Sequence, residues 1–329
     1  MTPKTLTDAI RKFADIDYAT TYLAKMRWPD GVTCPTCGSK DVSYISTRRV
    51  WECKSKHPKR QFSVKVGTVM EDGKLPVDKW LITIWLEVNS KNSISSYELA
   101  RHLGITQKSA WFMQQRVRLA LQNGSIEKLK GAVEVDETYI GGLARNMHSA
   151  KRRARVTGTG AFGSGKAVVM GLLEKHGEVR ACVVERNDGM TLKPIVRQHV
   201  TTGAELHTDM LGAYKGLDRE YVHKVVDHAE CYVRDNVHTN GLENFWSLFK
   251  RCIKGTHVSI EPFHLFRYVD AEAFRFNNRK TNDGERFAKA CGGLAGKRLT
   301  YHHLTGKDRG DTPAADTSGR GAGSDARLN

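Results

Sequence analysis

No run of about 18 apolar residues occurs anywhere in the chain, so no helix spanning a bilayer is expected, and no membrane partner. The first 19 residues are polar and of mixed charge, unlike a secretory signal with its basic start and apolar core. Cysteine is sparse, with 7 among 329 residues. Without an export signal, the expectation is reduced thiols in a cytoplasm rather than a disulfide framework. Cys182, Cys231, Cys252 and Cys291 stand singly and read as core or surface thiols. Acidic residues are in deficit, 36 Asp and Glu against 52 Lys and Arg, for a formal net charge of +16. Such an excess repels itself unless a polyanion offsets it, which puts nucleic acid first among partners. No repeat of 20–50 residues is visible, and residues 306–329 have almost no large apolar side chains, so that tail is expected to be disordered.

What is present divides the chain into four further segments. Residues 1–27 place Ile10, Phe13, Ala14 and Tyr18, then Tyr22, Leu23 and Met26, at helical spacing. Residues 28–72 hold Cys34-Pro-Thr-Cys37-Gly, a two-thiolate knuckle, followed by Cys53 and His57. Four nitrogen or sulfur ligands from two turns are what a tetrahedral structural zinc requires, and 15 residues between Cys37 and Cys53 suit a zinc ribbon. Position 56 is Lys where a second CxxC would place a cysteine, so His57 is the expected fourth ligand. Segments 42–45 and 49–52 suit the ribbon's hairpin. A module this short depends on the metal for folding. Lys54, Lys56, Lys59 and Arg60 would rim it with positive charge.

Residues 75–125 contain helical pattern, broken near 91–96 and at Gly104. Within it, 96–111 reads as a helix-turn-helix. Leu99, Ala100 and Leu103 form the inner face of the first helix, Gly104 permits the turn, and Thr106 caps the second helix. Gln107, Lys108, Gln114, Gln115, Arg116 and Arg118 are expected outside, where they could reach bases and phosphates. An ordinary helical hairpin is the competing reading.

Residues 130–282 alternate strand and helix. Strands are expected at 132–142, 166–173 and 178–185 as an antiparallel meander. A helix over 191–200 crosses to a fourth strand at 204–207, parallel to the first, with a fifth near 221–226. This arrangement sets Asp136 beside Asp209. The next helix has an apolar stripe of Leu242, Phe245, Trp246, Phe249 and Ile253, and a polar one of Glu243, Ser247, Lys250 and Lys254. Three converging carboxylates suit two Mg²⁺ ions, with Mn²⁺ an alternative, that activate a hydroxyl and stabilise a leaving oxygen in phosphodiester chemistry. Glu134, Glu137, Asp227 and Asp235 are the competing acids. The basic run 145–155 and the glycine-rich stretch behind it read as a mobile DNA-gripping loop. Its Gly-Ser-Gly-Lys166 is followed by Ala, which fails the phosphate-loop spacing.

Four blocks, Glu134-Val-Asp136-Glu-Thr-Tyr-Ile-Gly-Gly, His207-Thr-Asp209 with Tyr214, Val237-His-Thr-Asn240 with Glu243-Asn-Phe-Trp-Ser-Leu-Phe-Lys250-Arg, and Phe274-Arg-Phe-Asn277-Asn-Arg279, stand in this order. Together with the ribbon and Gln61-Phe-Ser-Val, they resemble bacterial DDE insertion-sequence transposases with an N-terminal zinc ribbon, over roughly 30–280. The resemblance implies an α/β fold with a ribonuclease H-like mixed five-stranded sheet flanked by helices. It also implies Mg²⁺ dependence, binding of inverted-repeat element ends, hydrolysis there, and transfer of 3′-hydroxyls into a target duplex. It assigns Asp136, Asp209 and Glu243 as magnesium ligands and Lys250 as a phosphate contact, in a protein expected to act as a homo-oligomer on paired ends. A non-catalytic regulator built from the ribbon and helix-turn-helix is the alternative, and it leaves the later acids without a role.

Overall fold

The computed structural model describes residues 2–122, 124–142, 148–156, 165–209, 212–225 and 239–306. Cys231, Asp227, Asp235, most of the glycine-rich stretch and 307–329 lie outside these residues. The chain divides into two units, Met1–Arg298 and Leu299–Asn329.

The first unit opens with α1 (Leu6–Phe13) and α2 (Ile16–Arg27), whose first turns are capped by the side chains of Thr5 and Asp15. A three-stranded antiparallel ribbon follows: β1 (Val42–Ile45), β2 (Val50–Cys53) and β3 (Gln61–Phe62). Then come α3 (Val77–Asn89), α4 (Ser96–Leu103) and α5 (Gln107–Ala120). Gly104 ends α4 at φ +59°, a left-handed conformation costly for any residue with a Cβ. Thr106 Oγ1 accepts the Ser109 amide at 3.2 Å to start α5.

These segments do not fold as separate beads. One apolar core joins Phe13, Tyr22 and Leu23 to ribbon residues Trp51 and Phe62, to Trp80 and Trp85 of α3, and to Phe287 far along the chain. Phe287 belongs to α10 (Asp283–Gly292), and its ring centroid lies 5.3 Å from that of Trp85 and 5.8 Å from that of Phe13. The ribbon is too small to bury much apolar surface alone, and here it borrows the core of its neighbours.

The helix-turn-helix reading needs a correction. Gln114, Gln115, Arg116 and Arg118, expected outside, are all buried. Arg118 donates to Glu87 Oε1 at 2.7 Å, Gln114 to Glu87 Oε2 at 3.2 Å, and Arg116 to the Glu71 carbonyl at 2.8 Å. Arg275 reaches the Glu87 carbonyl at 3.1 Å and also pairs with Glu272. Helical periodicity placed these polar residues on the solvent face, but tertiary partners hold them inside and offset much of the desolvation cost. Gln107 is half-buried with its amide on Ser96 Oγ at 2.8 Å. Of the six, only Lys108 at the first turn of α5 is exposed; on α4, Tyr97, Arg101 and His102 are exposed as well.

The second half of the unit is a five-stranded mixed sheet in the order β6-β5-β4-β7-β8. Its members are β4 (Ala132–Ile140), β5 (Ala167–Glu174), β6 (Val179–Val184), β7 (Glu205–Thr208) and β8 (Val222–Val225). β4, β5 and β6 pair antiparallel, whereas β7 pairs parallel with β4 and with β8. The crossover into β7 is α7 (Gly189–His199), which packs Leu192 and Val196 on one face. On the other face lie α8 (Asn240–Cys252) and α9 (Leu265–Asn277), through Leu242, Phe245, Trp246, Phe249, Leu265 and Phe276. Part of the basic run read as loop is instead a helix, α6 (Ser149–Arg155). Asn277 finishes the sheet: its side-chain amide accepts the Val179 N–H at 2.7 Å and donates to the Val179 carbonyl at 2.9 Å.

The second unit carries one described helix, α11 (Tyr301–Thr305), capped by Thr300 Oγ1. Among the described residues, no helix is long and apolar enough to cross a membrane.

Candidate active site and zinc ribbon

Ligand atoms of Cys34, Cys37, Cys53 and His57 all lie within 4.8 Å of one another. Cys34 Sγ is 3.4 Å from His57 Nε2, and Cys37 Sγ is 3.6 Å from Cys53 Sγ. Tetrahedral zinc, with bonds of about 2.3 Å to sulfur and 2.0 Å to nitrogen, sets S···S at about 3.8 Å and S···N at about 3.5 Å. The donor set therefore fits the metal, and His57 completes it. Burial raises the Cys53 thiol, but hydrogen bonds from His57, Ser55 and Cys37 outweigh it and bring the thiol down to about 6. A thiol that ionises this readily is suited to ligate zinc. Lys54, Lys56, Lys59 and Arg60 are all exposed around it.

In the sheet, register determines which acids meet. Val135 of β4 stands opposite Thr208 of β7, so the residues that follow, Asp136 in the middle of β4 and Asp209 just past the end of β7, are neighbours across the parallel pair. Alternation then sorts the competing acids by face. Glu134 and Asp136 share the α8 side, while Glu137 points to the opposite side. Glu134 is structural: its Oε2 accepts the Leu242 amide at 2.9 Å, anchoring the first turn of α8. Glu137 receives the Tyr214 hydroxyl and is pushed up to about 8 by burial first, then by the charges of Asp136 and Asp209.

Trp246 of α8 donates from Nε1 to Asp136 Oδ2 at 2.9 Å. The indole comes so close because Gly171 of β5, the residue paired with Asp136, has no side chain; a Cβ there would lie 2.7 Å from Trp246 Cζ2 and 2.9 Å from Leu242 Cδ2. An isolated glycine within an apolar strand is the signal of such an approach, and sequence reading passed over both this glycine and the donor role of Trp246. Asp136 is pushed up to about 6, mainly by burial and further by the charges of Asp209 and Glu243; hydrogen bonds from Trp246 and the Glu137 amide act the other way. Glu243 lies exposed in the first turn of α8, with the Thr239 hydroxyl 3.5 Å from its Oε1. Lys250 is two turns along the same helix and half-buried.

The charges of both Asp209 and Glu243 act on Asp136. Among the described residues, only the ribbon's ligand atoms cluster within 4.8 Å. A two-ion centre requires less crowding: with ions about 4 Å apart and metal–oxygen bonds of about 2 Å, ligands on opposite flanks stand up to about 8 Å apart.

A mixed sheet in this order, with helices on both faces, an acid midway along β4 and another just past the end of the parallel β7, defines a ribonuclease H-like DDE domain. Residues 128–277 match the model of the ISXO2-like transposase domain, and residues 17–55 match that of the transposase zinc-ribbon domain. The chain belongs to the insertion-sequence transposases with an N-terminal zinc ribbon. It is 26% identical over 277 residues to an uncharacterized protein in transposable element ISH50 of Halobacterium salinarum, covering 81% of this chain and 92% of that one. It is also 32% identical over 103 residues to an uncharacterized transposase-like protein of Haemophilus influenzae, covering 31% of this chain and 82% of the relative. The zinc-ribbon match stops two residues before His57, so the fourth ligand is read from the structure.

Proposed function

We propose that this transposase binds the inverted-repeat ends of its element, hydrolyses a phosphodiester bond there and transfers the 3′-hydroxyl into a target duplex. The reaction takes place on DNA in the cytoplasm, in a homo-oligomer that pairs two ends. Residues 28–72 and 75–125 serve DNA docking, and 130–282 serve catalysis. The observation that carries the reading is the register of β4 and β7, which sets Asp136 beside Asp209 under the helix that brings Glu243.

Asp136, Asp209 and Glu243 would hold two Mg²⁺ ions. When bound, these supply an activated hydroxyl and a counter-charge for the leaving oxygen. The chain's own groups do the rest. Trp246 Nε1 restrains Asp136 through its Oδ2. Glu134 holds the start of α8, so Glu243 keeps its place relative to the sheet. Lys250, about 10 Å along the helix from Glu243, meets a neighbouring phosphate. Partial burial of Asp136 weakens solvent screening at that carboxylate, which strengthens its interaction with a bound cation.

The test is strand transfer with purified protein, labelled element ends, a target plasmid and Mg²⁺, alongside Asp136→Ala, Asp209→Ala and Glu243→Ala. Metal-dependent joined product, lost in all three variants, is expected. Specific end binding without cutting, unchanged by the substitutions, would point instead to a DNA-binding regulator.

A further inference from the structure

Tyr214 follows Asp209 by five positions, and Glu137 follows Asp136 directly. The ladder between β4 and β7 pairs 132–135 with 205–208 and ends there, so Asp136 and Asp209 both lie beyond its last rung. On its other edge β4 goes on pairing with β5 as far as Ile140, which fixes Asp136. Asp209 has left its strand, so its place against β4 depends on how the chain around it is fastened.

Several contacts do the fastening. Thr208 Oγ1 donates to the Asp209 carbonyl at 2.9 Å and lies 2.8 Å from His223 Nε2 of β8. A 3₁₀ turn, Gly212–Tyr214, packs on the start of α7: a Cβ on Gly189 would meet the Ala213 carbonyl oxygen at 2.8 Å, and Lys193 donates to the Lys215 carbonyl. Tyr214 is 1% exposed and clusters with Val133, Val135 and Leu206 on the α7 face of the sheet. Its hydroxyl donates to Glu137 Oε1 on that same face. A buried phenol needs such an acceptor, and a half-buried carboxylate such a donor. The segment is thereby tied to β4 at both ends, by Thr208 opposite Val135 and by Tyr214 on Glu137, with Asp209 between them.

We propose that Tyr214 is a positioning residue for the metal ligands: its bond to Glu137 clamps the segment carrying Asp209 to the strand carrying Asp136, and so keeps the two carboxylates in register for Mg²⁺. The inference rests on the two-ion reading of these acids. Strand alternation makes the clamp possible, because neighbouring residues of β4 face opposite sides, Asp136 toward α8 and Glu137 toward Tyr214. Ligands held in place beforehand lose less freedom on binding, and groups that orient a metal's ligands without touching the ion typically govern affinity by about 10–100-fold. The Tyr214 ring supplies packing, so the hydroxyl alone carries the positioning.

The test is calorimetric titration of the full, zinc-loaded chain with Mg²⁺ alone, without DNA, beside thermal unfolding of each variant. Tyr214→Phe keeps the ring and removes the hydroxyl; it should weaken Mg²⁺ binding about tenfold and lower the Tm modestly. Val196→Ala, in the same core on α7, should lower the Tm as well but leave Mg²⁺ affinity unchanged. Tyr214→Phe with Glu137→Leu removes donor and acceptor together, so the Tm should recover while Mg²⁺ affinity stays low. Wild-type affinity in Tyr214→Phe overturns the proposal, and so does an equal loss in Val196→Ala. Recovery of affinity together with Tm in the double variant overturns it too, since the loss would then be one of folding. Should the single variant fail to fold, the double variant decides by its Mg²⁺ affinity. A wild type that binds no Mg²⁺, and is indistinguishable from Asp209→Ala, would sink the two-ion reading and the clamp with it.

Discussion

Replacing Asp136 by Asn should stabilise the metal-free protein while abolishing strand transfer. Asp136 is raised from 3.8 to about 6, so its ionised form is disfavoured in the fold. The sign follows from linkage. A carboxylate raised above its unfolded value binds its proton more tightly when folded, so the apo fold loses stability as pH rises from about 4 to about 6, and the loss is complete above that. Two units at about 1.4 kcal/mol each give about 3 kcal/mol at pH 8 and about half that at pH 5. Asn keeps an oxygen for Trp246 Nε1 but leaves an amide to satisfy, so a gain of about 1–3 kcal/mol is expected. For a unit of roughly 300 residues this is a rise in Tm of about 2–5 °C. Neutralising Asp136 also removes one of the charges that raise Glu137, which acts in the same direction. The assay is thermal unfolding at pH 8 and pH 5 in Mg²⁺-free buffer without chelator, which would strip the ribbon. Adding Mg²⁺ at pH 8 should raise the wild-type Tm and leave the variant unmoved. A gain equal at both pH values, or a loss at pH 8, would refute the argument that burial and neighbouring acids strain this carboxylate.

Gly171→Val would drive a side chain into Trp246 and Leu242, costing about 1–3 kcal/mol in thermal unfolding and uncoupling Asp136 from its indole donor. Trp246→Phe keeps most of the packing but loses the hydrogen bond to Asp136, so Mg²⁺ binding followed by calorimetry should weaken and shift to higher pH. Glu87→Ala leaves Arg118 buried without its partner and should cost about 3–5 kcal/mol in denaturant unfolding. Chelator or His57→Ala should release one zinc per chain in a colorimetric assay. It should also speed amide exchange in α2 as well as in the ribbon, because Cys34, Cys53 and Leu23 share one core.

Sequence by itself determined the order of elements, the zinc ligands and the acids worth testing. Period-2 and period-3.6 patterns locate strands and helices because burial of one face is a local demand on each element. The CxxC spacing likewise reports a local turn around a metal. A helix between two strands implies a crossover, so even the pairing of β4 with β7 could be anticipated, and the register bears this out. Only the tertiary structure decided which polar groups work inside. Gln114, Gln115, Arg116 and Arg118 look like a DNA-facing stripe on an isolated helix, yet Glu87, Glu71 and, for Gln115, Tyr268, all dozens of residues away, hold them in the core. Helix periodicity cannot register a partner on another helix. The same limit hid the roles of Gly171 and Trp246, 75 positions apart in number and in contact in space. It also separated Glu134 from Glu137, which are equivalent acids in sequence until the sheet assigns them opposite faces.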